Sequence, residues 1–199
     1  MEKIFCNTLN TRPILENSYR FIRSDVPVRV TEEERKRLLE KNVSVIIDLR
    51  TTEERNKKEC PLINDKRFSY YCMPVRGGNT VPQSVDTVSV SYINMVDDSL
   101  NKTIDFMMQT TSNILFFCNA GKDRTGVVSA ILLYKSGKDI DYIVEDYMKS
   151  KSNLMEILKC FTENSPEIDL DVITPQERYI KEFLRWFIEN NTDLKAEDC

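Results

Sequence analysis

Apolar residues along the chain recur with two different periods. Val43 to Leu49 and Ile114 to Phe117 are short continuous runs rich in β-branched and aromatic residues, the pattern of strands buried on both faces. Tyr19 to Asp25 alternates apolar and basic residues and predicts a short strand with one buried face. Phe68 to Val75 reads as a further strand, with Pro74 near its end, followed by the breaker-rich loop Arg76 to Pro82. Elsewhere the spacing is three and four. Val88, Tyr92, Met95 and Val96 form one stripe and Leu100, Ile104, Met107 and Met108 another, divided by Asp97-Asp98-Ser99. Helices are also predicted over Val127 to Ser136, stopped by Gly137, over Asp139 to Met148, and as a short separate segment over Leu154 to Phe161. Thr174-Pro175-Gln176-Glu177 predicts a last helix with Pro175 at its first position and Tyr179, Phe183, Trp186 and Phe187 on one face. Thr31 with Glu34 three residues on is a capping box that opens a helix through Glu40. Strands alternating with helices imply an α/β fold, a mostly parallel central sheet with helices on both faces. Residues 1–18 show no period and are expected to form a loosely attached lead-in.

A chain of 199 residues is long enough for one well-buried core and too short for two ordinary domains, so a single domain over 1–199 is expected. The formal charge of −4 argues against a nucleic-acid partner. No run approaches a membrane span, and Met1 to Cys6 lacks a secretory leader; a cytoplasmic location is expected, although a mature secreted chain would look the same. The six cysteines, at 6, 60, 72, 118, 160 and 199, have no paired spacing, so neither zinc nor a disulfide framework is indicated, and no cofactor is called for. The chain has no histidine, which removes His-based hydrolase triads and leaves carboxylates, Lys, Tyr or Cys to move protons.

Chemistry concentrates in Cys118 to Gly126, C-N-A-G-K-D-R-T-G, lying between the apolar run 114–117 and the helix that follows. A loop at a helix N-terminus presents free amides and the positive end of the helix dipole, which suits an anion. Cys-x5-Arg lets the loop curl so that a sulfur and a guanidinium approach one tetrahedral oxyanion from two sides. Thiolates are favoured in such surroundings, and an arginine can grip two phosphate oxygens. A nucleotide-binding loop is excluded because Asp123 stands where Ser or Thr would bind magnesium. A buried structural cysteine and a sulfur-transfer loop are the blander alternatives, and neither calls for Asp-Arg-Thr-Gly after the cysteine.

The motif resembles the phosphate-binding loop of the protein tyrosine phosphatase superfamily, and A-G-K-D-R-T-G is similar to its bacterial tyrosine and dual-specificity branch. Asp48-Leu49-Arg50 with the glutamate after it, Arg23-Ser24 and the helix after Asp139 resemble the same branch. The resemblance implies a tyrosine phosphatase-like fold and hydrolysis of phosphotyrosine, with phosphoserine, phosphothreonine or phosphoinositide as further substrates. A phosphocysteine would form on Cys118. Asn119, Ala120, Gly121, Lys122 and Arg124 would hold the phosphate, and Thr125 would donate a hydrogen bond to the thiolate. Lys122 either contacts an anionic headgroup or pairs with a carboxylate. The family usually has a histidine just before the nucleophile, where this chain has Phe117, and a mobile-loop acid, whereas no aspartate lies between Asp65 and Asp86. The proton donor therefore comes from Asp123, Asp97, Asp98 or Asp48. Asp48 and Arg50 either line the site or form a structural ion pair. A phosphate-binding module without catalysis is the alternative function.

Overall fold

In the computed structural model, which describes residues 3–191, five strands form one sheet in the order β1-β2-β5-β3-β4. These are β1 (Arg12–Pro13), β2 (Phe21–Asp25), β3 (Val43–Asp48), β4 (Ser69–Cys72) and β5 (Asn113–Cys118). Only the short edge strand β1 runs antiparallel; β2, β5, β3 and β4 are parallel neighbours. Helices cover both faces, as expected.

The side-chain period of two explains why the central strands are apolar throughout. Val45 and Ile47 of β3, with Ile114 and Phe116 of β5, enter the larger core, whereas Ile46, with Leu115 and Phe117, enters the smaller one; Val43 joins the smaller core because the register against β5 is irregular between Val43 and Val45. The larger core is closed by α3 (Val88–Ile93), α4 (Asp98–Gln109), α5 (Asp123–Lys135), α6 (Ile140–Asn164) and α8 (Glu177–Asn190). The smaller has α1 (Glu32–Glu40), capped by Thr31 and Glu34 as predicted, and the turn around Leu62. No helix among the described residues is long and apolar enough to cross a membrane.

Several expectations are corrected. Residues 3–18 of the lead-in are not loose: Ile4 and Phe5 fill the smaller core, where only one long helix leaves apolar surface to cover, and the Asp25 carboxylate accepts the Leu9 and Asn10 amides. Its order comes from irregular contacts, which have no period to read. β2 is buried on both faces, because Arg23 is fully buried against Asp146 of α6. The predicted helices 139–148 and 154–161 are one helix, α6, of 25 residues. Pro175 precedes the N-cap Gln176 of α8 instead of opening the helix, since Thr174 still caps the short α7 (Leu170–Ile173). Met108 is exposed, and Asp97 caps α4 by accepting the Leu100 amide at 2.8 Å. Gly137, at φ +76°, ends α5 as expected. Cys199 lies outside the described residues.

Candidate active site

The parallel strands end together on one edge of the sheet, and residues 118–122 cross that edge between β5 and α5. Cys118, the last residue of β5, is 4 % exposed. Helix α5 starts at Asp123, four residues earlier than its apolar run predicts, so Asp123 and Arg124 are first-turn residues. The amides of Ala120 to Arg124 have no acceptor among the described residues. Gly121, at φ +65°, is packed so closely that a Cβ there would lie 2.4 Å from the Ser24 carbonyl oxygen. Any other residue would push the loop off the end of β2.

Arg124 is buried, and its guanidinium meets Glu54 of α2 (Thr52–Lys57) end-on, Nη1 to Oε2 and Nη2 to Oε1, both at 2.6 Å. That contact leaves a side edge of the guanidinium carrying Nε, which is buried without a hydrogen-bond partner among the described residues. Phosphate would meet the side edge instead of the terminal fork. Glu54 also accepts from Asn119 Nδ2 at 2.7 Å and, closing a capping box, from the Thr51 amide. Burial alone would raise its carboxyl, but Arg124 and the Thr51 amide hold it below the usual range. For Arg124, burial opposes the charge, yet Glu54 foremost and then Cys118 keep its pKa above the ordinary value. Glu54 lies in the stretch that resembles the family, but the sequence reading gives it no role in the site. Its signal was present, since Thr51 and Glu54 repeat the spacing of Thr31 and Glu34.

Glu54→Gln keeps one acceptor and removes the charge. Turnover is expected to fall about tenfold to a hundredfold as Arg124 loses its fixed angle, with about 1–3 kcal/mol lost from stability at neutral pH. Because the folded pKa of Glu54 is depressed, this contribution is complete above the ordinary glutamate range and disappears as pH falls through the depressed value. Denaturant unfolding at pH 7 and pH 3 checks the sign: the gap between wild type and variant should narrow in acid.

The other expected residues separate into two groups. Asp123 Oδ1 accepts from the Tyr92 hydroxyl at 2.7 Å, and Tyr92 lies 2.8 Å from Tyr147. Burial, with Asp123 adding, pushes both phenols upward, so they remain hydroxyl donors. Asp123 also lines a pocket of about 120 Å³ with Gly78 to Pro82, Val88, Ser91, Lys122, Val172 and Ile173. Lys122 is 8 % exposed; its ammonium donates to the Ile173 carbonyl and lies 3.4 Å from Asp123 Oδ2. The Thr125 hydroxyl is buried and has no partner among the described residues, so the expected hydrogen bond to Cys118 is not formed. The loop after β4 walls the site: a Cβ on Gly78 would come 3.0 Å from Arg124 Cγ.

Asp48 and Arg50 do not line the site. They are fully buried together, with Arg50 Nε on Oδ1 at 2.9 Å, Nη2 on Oδ2 at 2.7 Å, and Tyr70 also donating to Oδ2. The pair braces the end of β3, where the Leu49 amide bonds the Phe117 carbonyl. Arg50 stands 5.4 Å over the Phe117 ring. Asp98 is exposed at the start of α4, and Arg76 is exposed 3.9 Å from Asp97.

The model of the tyrosine phosphatase family matches residues 16–195. The chain belongs to that family. Among curated relatives, a tyrosine-protein phosphatase of Nostoc commune is 28 % identical over 137 residues, 64 % of this chain and 47 % of its own length. The triple specificity protein phosphatase PtpB of Mycobacterium tuberculosis is 46 % identical over 44 residues, 22 % of this chain and 16 % of its own. The chain spans about half the length of the first curated relatives it matches. Similar solved structures include the core catalytic domain of the PP-IP phosphatase SIW14 from S. cerevisiae, with TM-score 0.48 and 16 % identity, covering 94 % of each chain. A mutant form of Tk-PTP has TM-score 0.44 and 19 % identity, covering 80 % of this chain and 98 % of that one.

Proposed function

We propose that the chain is a cysteine-dependent phosphomonoesterase that acts on phosphotyrosine through a phosphocysteine intermediate. The observation that carries the reading is the convergence on one loop of three things: the Cys118 sulfur, amides from Ala120 to Arg124 with no acceptor among the described residues, and the Arg124 side edge left open by the end-on contact with Glu54. Preorganised donors of this kind need no rearrangement as charge builds on the equatorial oxygens. The Cys118 thiolate attacks phosphorus and a P–S bond forms as the bond to the leaving oxygen breaks. That oxygen takes a proton and departs as tyrosine. Water then attacks the phosphocysteine, the P–S bond breaks, and inorganic phosphate and the thiolate are released.

Asp123 is assigned as the proton donor on reach. It lines the pocket beside the loop, whereas Asp48 is enclosed by Arg50 and Tyr70, Asp97 caps α4 and Asp98 is exposed to solvent. Of the two roles open to Lys122, bracing is the better supported, because its ammonium is engaged with Ile173 and Asp123. A phosphoinositide headgroup would have to displace both contacts. The pocket reaches the loop at Lys122 and Asp123 and is not lined by Cys118 or Arg124; its walls Val81, Pro82, Val88 and Val172 suit an aryl leaving group extending from the loop.

The test is hydrolysis of p-nitrophenyl phosphate, a phosphotyrosyl peptide, a phosphoseryl peptide and a phosphoinositide, all with a metal chelator present. Turnover of the aryl esters well above that of the other two is expected. Vanadate binding without turnover of any substrate would establish the non-catalytic module instead.

A further inference from the structure

Charged groups around the loop are almost all matched one to one. Arg124 is paired with Glu54, Lys122 lies beside Asp123, and Arg50 is paired with Asp48. Asp25, at the end of β2, accepts the Leu9 and Asn10 amides, and Lys58 is the cation acting on it. The exception lies behind the loop, where Arg12 and Arg23 share one carboxylate, Asp146 of α6. Arg12 Nε meets Oδ1 at 2.9 Å and Arg23 Nη1 meets Oδ2 at 2.6 Å. The remaining contacts of the two guanidinium groups are neutral: the Asn10 and Asp146 carbonyls, the Asn10 side chain, Ser150 and Gly121. Arg23 Nε is buried with no hydrogen-bond partner among the described residues.

One of these contacts reaches the site. The Gly121 carbonyl accepts from Arg23 Nη2 and from Asn10 Nδ2, each at 2.8 Å. A trans peptide directs its C=O and N–H oppositely, so fixing this carbonyl toward Arg23 turns the Lys122 amide the other way. A cation at the oxygen end also polarises the peptide and makes its N–H a stronger donor.

We infer that the cluster of Arg12, Arg23 and Asp146 is an electrostatic positioning device: its one surplus positive charge, conveyed through the Gly121–Lys122 peptide, strengthens oxyanion and thiolate binding in the loop. The excess has a local consequence. Burial foremost, with Arg23 adding, pulls the Arg12 guanidinium down to about 10 despite Asp146. Asp146 goes the other way: burial would raise it, and the two arginines hold it below the usual carboxylate range. The chain has no histidine to set beside the nucleophile, and Phe117 occupies the preceding position. Arg12 and Arg23 thus supply from behind the loop a positive charge that the paired groups at its rim cannot.

The inference rests on the phosphatase reading, and the test separates the two. Arg12 is the residue to change, since Arg23 and Asp146 would remain as a balanced pair. Vanadate affinity is measured by titration, and Cys118 alkylation by iodoacetamide is followed across pH by mass spectrometry, for wild type, Arg12→Gln and Arg12→Lys, with thermal melting alongside. Arg12→Gln is expected to weaken vanadate binding roughly fivefold, the effect of a unit charge across about 10 Å of partly hydrated protein, and to move Cys118 alkylation to higher pH. Arg12→Lys loses the forked hydrogen bonds but keeps the charge, and should stay within about twofold of wild type on both readouts. If Lys fails as badly as Gln, or if Gln matches wild type, the electrostatic role is overturned while the phosphatase reading stands. If Gln does not fold, Arg12→Met takes its place with the same expected shifts, and a folded Arg12→Met that matches wild type overturns the role. Wild type that fails to bind vanadate would overturn both readings.

Discussion

Cys118→Ser is expected to lower turnover of a phosphotyrosyl peptide by about 10⁴-fold or more while leaving vanadate and phosphate binding nearly intact. A serine hydroxyl needs a base to become a nucleophile, and this chain has no histidine to provide one. The contacts proposed to hold the oxyanion come from amides and from Arg124, none of which the substitution touches. None of the other cysteines among the described residues can stand in. Cys60 is buried beneath Arg50 and Tyr70 and its thiol is pushed up to about 12, chiefly by burial. Cys6, Cys72 and Cys160 are exposed and lie outside the loop. Steady-state rates together with a vanadate titration make the comparison. Turnover within tenfold of wild type would mean that the phosphate is attacked by something other than this sulfur.

What could be read from the sequence follows from where the deciding interactions are made. The parallel sheet was legible because Val43 to Asp48 and Asn113 to Cys118 are apolar on both faces, a pattern few other settings produce. The loop was legible because Cys118 and Arg124 lie within one short segment. The residues that hold the loop in shape were not. Glu54, Asn10, Arg23 and Asp146 come from four separate segments and are brought to the loop only by folding. Arg23 in particular looked solvent-facing, since arginines are seldom fully buried, and its partner lies 123 residues further along the chain. The same reasoning explains the lead-in. Asn10 sits in a stretch without period or motif, yet it bonds the Gly121 carbonyl across 111 residues. Asp48 and Arg50 illustrate the reverse case, in which a motif resembling the family sits beside the site yet braces a strand end.

The Asp123→Asn variant should lose about 10²- to 10³-fold on a tyrosyl or alkyl phosphate and little on an aryl phosphate whose leaving group is already acidic. Asparagine occupies the same volume and still accepts the Tyr92 hydroxyl through its carbonyl oxygen, so the chain from Tyr147 through Tyr92 survives. It cannot release a proton to the leaving oxygen. A tyrosyl oxygen departs poorly as an anion, whereas p-nitrophenolate departs readily, so only the first reaction depends on a donor. The competing role is mechanical, because Lys122 Nζ lies 3.4 Å from Asp123 Oδ2 and the substitution weakens that contact too. A brace acts on the shape of the loop, which every substrate uses, and its loss would slow both esters by the same factor. The ratio of the two losses therefore discriminates where neither rate alone would. Paired measurements of kcat/KM on the two esters provide it. A ratio near one would move Asp123 from proton donor to brace, and the acid would then have to be sought outside the pocket formed by Gly78 to Pro82 and Ile173.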